Sequence, residues 1–204
     1  MDGAIDAQPS TFRVGRNAAA RLSAQIAARL LSLALVALLP RHEGSAGLGR
    51  YVLVTTVVGL AATVTDLGLS TYLTREVARE RSASRQQRLL GNLLPLRLAS
   101  ASVGVGLLLT IAWGPILPVE SGRLFSLGAL SLLPKAAKGL LGSFVNGRQR
   151  MDVTSTIDVI ARVMTLAGSA PALAAGLGVP SVLVCTATAD TLAVLVYAVV
   201  FRAW

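Results

Sequence analysis

The fold class of this chain is decided by the stretch Asp66–Arg79, which reads DLGLSTYLTREVAR. It closes a long apolar run and then turns abruptly to alternating Arg and Glu. Basic residues concentrate where membrane-spanning helices reach the cytoplasm. The stretch therefore predicts the end of a transmembrane helix on the cytoplasmic side.

The composition of the whole chain agrees with a membrane protein. Of its 204 residues, 53% are hydrophobic and 14% are charged, and the mean hydropathy is +0.66, unlike most soluble domains. A helix needs roughly 20 apolar residues to cross a bilayer, and no run alternates with the period of a strand. We predict an all-α integral membrane protein with a tail at 1–16 and a six-helix bundle over 17–202. The predicted helices are 17–39, 50–74, 93–114, 124–145, 156–177 and 180–201.

The basic residues predict the orientation of this bundle. Three basic residues fall in the connections assigned to the outside, namely Arg41, Arg50 and Arg123. Twelve fall in the segments assigned to the inside: Arg13, Arg16, Arg21, Arg75, Arg79, Arg81, Arg85, Arg88, Arg97, Arg148, Arg150 and Arg202. This asymmetry predicts a multi-pass protein of the cytoplasmic membrane with both termini in the cytoplasm.

The formal net charge of +9 also raises the possibility of nucleic-acid binding. Because the charges border apolar spans, topology and anionic lipid head groups explain them better. We therefore predict membrane lipids and no nucleic acid as partners. The segment 75–97 is either a helix lying on the inner leaflet or a solvated loop.

Several ionisable residues lie inside the predicted spans, where charge is costly and faces a partner or a wet cavity. Arg29, Lys135 and Asp190 fall nearest the midplane, and Lys138 lies one turn from Lys135. Such cations could hold an anionic substrate while the acid limits their mutual repulsion. The alternative is that Arg29–Asp190 or Lys135–Asp66 are buried ion pairs between helices. For Asp158 and Arg162, the i,i+4 spacing favours a local ion pair.

The chain shows none of the usual signatures of catalysis. It has one His, His42, one Cys, Cys185, and no P-loop. No metal-ligand spacing or catalytic triad can be assembled from its residues. We therefore predict a protein that is not an enzyme, with no metal site and no cofactor.

Three motifs, taken in order, resemble the Wzx-type oligosaccharide flippases of polysaccharide biosynthesis, a family of the larger MATE-like (MOP) exporter superfamily. The first, RHEGSAGLGRY at 41–51, resembles the family's Ala-Arg-x-Leu-Gly-Pro-Glu-x-x-Gly-x-Tyr turn, but departs from it at Pro40, His42 and Glu43. The second comprises the DLGL and REVAR elements within 66–79. The third, NGRQRM at 146–151, resembles the polar turn between helices four and five. The resemblance extends from Asn17 to Arg202.

The resemblance implies one of two six-helix bundles that enclose a central cavity and are related by an axis along the membrane normal. It implies that the protein flips a polyprenyl-diphosphate-linked oligosaccharide outward for cell-surface polysaccharide export. Mapped by position, the substrate-binding candidates are Arg29, Lys135 and Lys138, followed by Gln25 and Asp190. Asp66 is a candidate for a coupling or structural role.

The 204 residues correspond to one such bundle. We expect the N-terminal half of a longer flippase, a half-size protein that works as a homodimer or with a separate second half, or a non-transporting membrane assembly partner. Within transporters, the alternative is a multidrug or cation antiporter of the same superfamily, which would use an acidic cation site and a less basic cavity. Asp66 and Asp190 are compatible with that alternative.

Overall fold

The computed structural model describes the backbone of residues 9–114 and 119–202 and the side chains of residues 23, 25–114 and 121–201. These residues form helices and no strand, which confirms the predicted all-α class. The predicted tail lies partly outside them, although helix already begins at Pro9. The seven helices are α1 (Pro9–Asp66), α2 (Leu69–Arg79), α3 (Ala83–Ala112), α4 (Val119–Leu130), α5 (Leu132–Gly147), α6 (Met151–Ala174) and α7 (Gly178–Arg202).

Helix α1 contains the first predicted span and much of the second. Its apolar part, Gln25–Asp66, has 42 residues, or roughly 63 Å of helix, about twice the thickness of a bilayer core. The backbone reverses at Gly44, whose φ of 69° and ψ of −175° are not helical; a glycine tolerates this region because it has no Cβ. The predicted loop at 40–49 is thus reduced to a single sharp bend.

Contacts along the chain show that α1 crosses the bundle and returns. The ends of the bundle are defined by α6, which begins just after Asn146 and ends just before Gly178. At Arg29, α1 lies at the end where α6 begins, since Arg29 and Asn146 line one cavity. At Glu43 it has reached the opposite end, where the Glu43 carboxylate lies beside Gly178. By Thr74 the chain has returned to the first end, where the Thr74 hydroxyl donates to the Ser143 carbonyl. Together with the spans at Ala83–Ala112, Ser121–Gly147, Met151–Ala174 and Gly178–Phe201, this makes six crossings.

The second crossing is interrupted, contrary to the continuous helix predicted over 50–74. Leu67 and Gly68 have φ values of 48° and 77°, so α1 ends at Asp66 and α2 starts at Leu69. The connection from α2 to α3 spans only 80–82, and helix resumes at Ala83. The segment 75–97, expected as an interfacial helix or a loop, is therefore mostly helical, and most of it belongs to α3.

The fourth crossing is broken as well, into α4 and α5 around Ser131. The sequence predicts a kink here, because Pro134 has no N–H to donate to the carbonyl four residues earlier. Of the predicted outer turn at 115–123, residues 115–118 lie outside the described residues, and residues 119–123 are helical and belong to α4.

The core and the surface both suit a bilayer. A main apolar cluster joins α1, α3, α4, α5, α6 and α7, with Leu39, Leu132 and Val182 fully buried. A smaller cluster of α5, α6 and α7 surrounds Val145 and Tyr197. Large apolar side chains such as Val103 and Val199 remain exposed, as expected where the surrounding solvent is lipid. The smaller cluster adjoins the polar cavity described next.

Candidate functional site

The polar interior of the bundle consists of two adjoining cavities of about 300 and 340 Å³. Both are lined by Asn146, Thr154 and Asp158, so one space continues into the other. The smaller cavity holds Gln25 and Arg29 from α1. The larger one is lined by the remaining charged residues: Lys135, Lys138, Arg162 and Asp190. We call the combined space the charged cavity.

Lys138 forms the electrostatic centre of the charged cavity. Its Nζ donates to Asp190 Oδ1 at 2.9 Å and lies 3.1 Å from Asp158 Oδ1. The side chains of Lys138 and Asp190 are only 19% and 12% exposed, whereas that of Asp158 is 49% exposed. One ammonium group therefore ties α5 to both α6 and α7.

This arrangement differs from the ion pairs expected from the sequence. Asp190 pairs with Lys138 rather than with Arg29. Asp158 also pairs with Lys138 rather than with Arg162 on its own helix, so the interpretation of Asp158 and Arg162 as a local pair was wrong. An ammonium group reaching across from a facing helix can outcompete an i,i+4 partner, which is worth only a few tenths of a kcal/mol.

Arg29, Lys135 and Arg162 have exposed side chains that line the charged cavity. Within the part of the chain that the structure describes, none of these three forms an ion pair. Lys135 lines the same cavity as Asp190, Arg162 and Lys138. The charged cavity therefore presents three cationic groups in addition to a lysine that two carboxylates share.

A close helix approach shapes one wall of the charged cavity. Gly142 on α5 faces Tyr197 and Thr154, and a Cβ built there would lie 3.3 Å from the Tyr197 hydroxyl oxygen. Tyr197 itself is only 1% exposed. A side chain at 142 would press on the Tyr197 hydroxyl and occupy part of the cavity, so glycine keeps this wall open.

Asp66 lies outside the charged cavity, at the break between α1 and α2. Its Oδ1 is 3.4 Å from Arg97 Nε and accepts a 2.6 Å hydrogen bond from the Ser70 hydroxyl. Arg97 also donates to Thr65 Oγ1 and to the Ala62 carbonyl, both at 3.2 Å. Asp66 therefore pairs with Arg97 rather than with Lys135, in an arrangement that holds the helix end.

Arg97 was expected in a cytoplasmic connection, but its side chain is 5% exposed inside the bundle. It lies roughly 21 Å along α3 from Ala83, counted at 1.5 Å per residue. The assignment of Arg97 to the inner loop was therefore wrong. Its position within the apolar stretch, two residues after Pro95, was the available signal.

A polar network closes the end of the bundle where α2, α3 and α5 meet. Gln86 donates to the carbonyls of Val77 and Glu80 at 3.0 and 2.6 Å, and Arg148 donates to Gln86 at 2.9 Å. The Ser82 backbone N–H, helped by Arg85, holds the pKa of the Glu80 carboxyl below its usual range. This network joins the short α2–α3 connection to the α5–α6 turn.

Sequence reasoning missed two charged lining residues as site candidates, Asp158 and Arg162. The polar residues Thr154, Asp158, Arg162 and Thr165 recur on one face of α6 at helical spacing, and all four line the larger cavity. That stripe was visible in the sequence. Among the described residues, no group of three or more His, Cys, Asp or Glu side chains could hold a metal ion.

A bundle whose helices are long and apolar enough to cross a membrane, and which holds a charged cavity, has the architecture of a membrane transporter. The chain matches the model of one family, described as "Polysaccharide biosynthesis protein", over residues 14–204, and it belongs to that family. The predicted resemblance is thereby confirmed. Family membership and the spans together support a transporter role in polysaccharide synthesis. Comparisons with curated proteins and with solved structures gave no match.

Proposed function

We propose that this chain flips a polyprenyl-diphosphate-linked oligosaccharide across the cytoplasmic membrane for the export of a cell-surface polysaccharide. The observation that carries the proposal is the cluster of Arg29, Lys135 and Arg162 in a cavity within the membrane-crossing bundle. Cations at such depth are costly unless a partner or water meets them. A lipid-linked diphosphate brings its negative charge to this depth while its tail remains in the bilayer.

The lining residues suit the separate parts of such a substrate. Arg29 and Lys135 would donate charge-assisted hydrogen bonds to phosphate oxygens. Gln25 and Asn146, which line the smaller cavity with Arg29, offer amide donors and acceptors to sugar hydroxyls. Asp190 would hold Lys138 in place and limit repulsion among the cations.

The exposure of the lining cations supports a further wall to the cavity. Because a charged side chain in contact with lipid tails costs several kcal/mol, we propose that a second six-helix half covers this side of the bundle. That half is either a separate segment or a second copy of this chain. Native mass spectrometry of the protein in lipid nanodiscs distinguishes a dimer of 21.1 kDa chains from a complex with another polypeptide.

The arginine-rich end of the bundle supports the orientation with both termini in the cytoplasm. Arg79, Arg81, Arg85 and Arg88 are exposed near this end, and the turn at 148–150 lies there as well. Anionic head groups of the inner leaflet would be favourable neighbours for them.

A cation antiporter is less well supported by the geometry. An acidic cation site needs carboxylates available to the transported ion, yet Lys138 already contacts both Asp158 and Asp190. Asp66 is engaged by Arg97 and Ser70. Within the described part of the chain, these contacts occupy the acidic groups that such a site would use.

Flipping is tested in liposomes that contain the purified protein and a fluorescent polyprenyl-diphospho-oligosaccharide, with a membrane-impermeant quencher that reports the outer leaflet. We expect the wild type to equilibrate the probe and Arg29→Gln/Lys135→Gln to slow it at least about tenfold, because charged hydrogen bonds contribute about 1.5–3 kcal/mol each. Arg88→Gln is the control, since Arg88 is exposed on α3 and lies outside the cavity lining.

Two results would contradict the proposal. A wild-type protein that inserts but does not move the probe would favour a non-transporting assembly partner. A double variant that flips at the wild-type rate would show that the charged cavity is not the substrate site.

A further inference from the structure

Arg162 has the position of a substrate ligand rather than of a structural cation. It lies on α6 one turn beyond Asp158, is exposed and lines the larger cavity. Asp158, its predicted partner, is engaged by Lys138 on α5. Arg162 and Lys135 line the same cavity. Two cations that line one cavity, neither of them in an ion pair among the described residues, make a site that favours an anion.

The charges of the cavity lining can be divided into two groups. Lys138, Asp158 and Asp190 form one cluster, in which two carboxylates share one ammonium group. Arg29, Lys135 and Arg162 form the other group, with three cations. Among the described lining residues, four cations and two carboxylates leave a formal excess of two positive charges.

This excess matches one kind of lipid head group. A sugar joined to a lipid through a diphosphate carries about two negative charges, because each of its two phosphates has one strongly acidic proton and loses it at neutral pH. A sugar joined through one phosphate carries about one. Burying either in the cavity is most favourable when its charge equals the excess.

We propose that Arg162 binds the second phosphate of the diphosphate and thereby makes the cavity prefer diphosphate-linked over monophosphate-linked sugars. This inference rests on the proposed flippase function. Lys138 is a positioning residue in this scheme and does not contact the phosphates. If Lys138 turned to a phosphate, Asp158 and Asp190 would face each other uncompensated, and like charges in a low-dielectric space repel strongly.

The experiment compares two soluble short-chain probes, farnesyl-diphospho-N-acetylglucosamine and farnesyl-phospho-N-acetylglucosamine. Their affinities for the full chain in detergent are measured by microscale thermophoresis. We expect the wild type to bind the diphosphate probe at least about tenfold more tightly, the difference expected from one more charge-assisted contact.

Arg162→Gln should weaken binding of the diphosphate probe about tenfold or more and leave the monophosphate probe nearly unchanged, so that the two affinities converge. Arg162→Lys should keep most of the preference because it retains the charge. Arg88→Gln, outside the cavity lining, should behave as the wild type. Thermal unfolding of each variant shows whether it is folded, and Arg162→Lys serves as the folded comparison if Arg162→Gln is unstable.

The outcomes distinguish the proposed flippase function from the assignment of the second phosphate to Arg162. A wild type that binds neither probe contradicts the proposed flippase function and this inference with it. A wild type that prefers the diphosphate probe, together with an Arg162→Gln variant of unchanged preference, contradicts only the assignment to Arg162. Loss of the preference in both Arg162→Gln and Arg162→Lys would show that shape at position 162, rather than charge, determines it.

Discussion

The bundle contains two groups of charged residues that differ in how completely they are paired. At the break between α1 and α2, one carboxylate meets one guanidinium, and Ser70, Thr65 and the Ala62 carbonyl contribute further hydrogen bonds. In the charged cavity, three exposed cations line the same continuous space as a lysine shared by two carboxylates. The first group is balanced in charge, whereas the second carries surplus charge and is open.

The difference shows how to read ionisable residues within membrane spans. A charge that finds a single opposite charge and nearby hydrogen-bond partners stabilises the helices it joins. A surplus charge beside a cavity is poorly explained by stability, because it adds desolvation and repulsion without a partner. Substitutions in the two groups should therefore fail in different ways, the first through unfolding and the second through loss of binding.

The largest effect is expected for Arg97→Met. It leaves the Asp66 carboxylate without its ion-pair partner in the bundle and removes the hydrogen bonds to Thr65 and Ala62. We expect a loss of about 3–5 kcal/mol in the free energy of unfolding, measured by denaturant titration in detergent micelles. Arg88→Met on the same helix is exposed and should change stability by no more than about 0.5 kcal/mol.

A double variant tests the cause of that loss. Asp66→Asn/Arg97→Met should recover much of the stability because it leaves no unpaired charge. Equal destabilisation in the single and double variants would mean that the packing of Arg97, rather than its charge, matters at this position.

The next effect is expected for Lys138→Met, which releases both Asp158 and Asp190. The loss should be smaller, about 2–3 kcal/mol, because Asp158 is half exposed and can be solvated. Lys135→Met, one turn earlier and without an ion pair among the described side chains, should barely change stability. The check is the thermal unfolding of the two variants and of Lys138→Met/Asp190→Asn, which should recover part of the loss. A Lys135→Met variant as unstable as Lys138→Met would contradict the distinction.

Much of the fold was predictable because it follows from local properties of the chain. Apolar length determines the crossings, and Pro134 marks the break between α4 and α5. The interruption at Leu67 and Gly68 was not predictable in the same way, since a leucine with φ of 48° contradicts the preference of its own side chain. Hydrogen bonds from Arg97 and Ser100 to the carbonyls of Ala62 and Thr65 hold this end of α1, and these partners lie more than thirty positions away.

The candidate site was predictable in its residue types and not in its pairing. Gln25, Arg29, Lys135, Lys138 and Asp190 line the charged cavity, as their depth within the spans suggested, and their role in binding stays a prediction. Which cation meets which carboxylate depends on how α5, α6 and α7 are rotated against one another. No local rule supplies that rotation, and therefore Asp158 was assigned to the wrong partner.

A smaller effect is expected from a pair of glycine substitutions that contrast tight packing with open space. A Cβ at Gly104 would lie 2.7 Å from Thr65 Cγ2 and 3.1 Å from Leu132 Cδ2, and Thr65 accepts a hydrogen bond from Arg97. Gly104→Ala should therefore cost about 1–3 kcal/mol. A Cβ at Gly139 meets nothing within 4 Å, so Gly139→Ala should be neutral or up to about 1 kcal/mol stabilising. Chemical denaturation of both variants measures this difference, and equal values would contradict the close approach of α3 to α1 and α5.

The smallest effect is expected outside the membrane spans, at Glu80. Its carboxylate accepts from the Ser82 N–H at 3.0 Å and contacts Arg85, which is 74% exposed. These contacts hold the pKa of Glu80 below its ordinary value of 4.5. A carboxyl whose pKa is lower in the folded state stabilises the fold above that ordinary value and loses the contribution as the pH falls through the lowered pKa. The melting temperatures of the wild type and Glu80→Gln should therefore differ at neutral pH and converge in acid.

Arg85→Ala separates the two sources of this effect. The Ser82 backbone bond is the larger cause of the lowered pKa, so Arg85→Ala should retain most of the pH dependence that Glu80→Gln abolishes. A gap between the wild type and Glu80→Gln that persists in acid would show that side-chain packing, and not charge, distinguishes them. Because salt and water screen a solvent-exposed contact of this kind, it should matter far less than the same charges inside the bundle, where Arg97 has no solvent to replace Asp66.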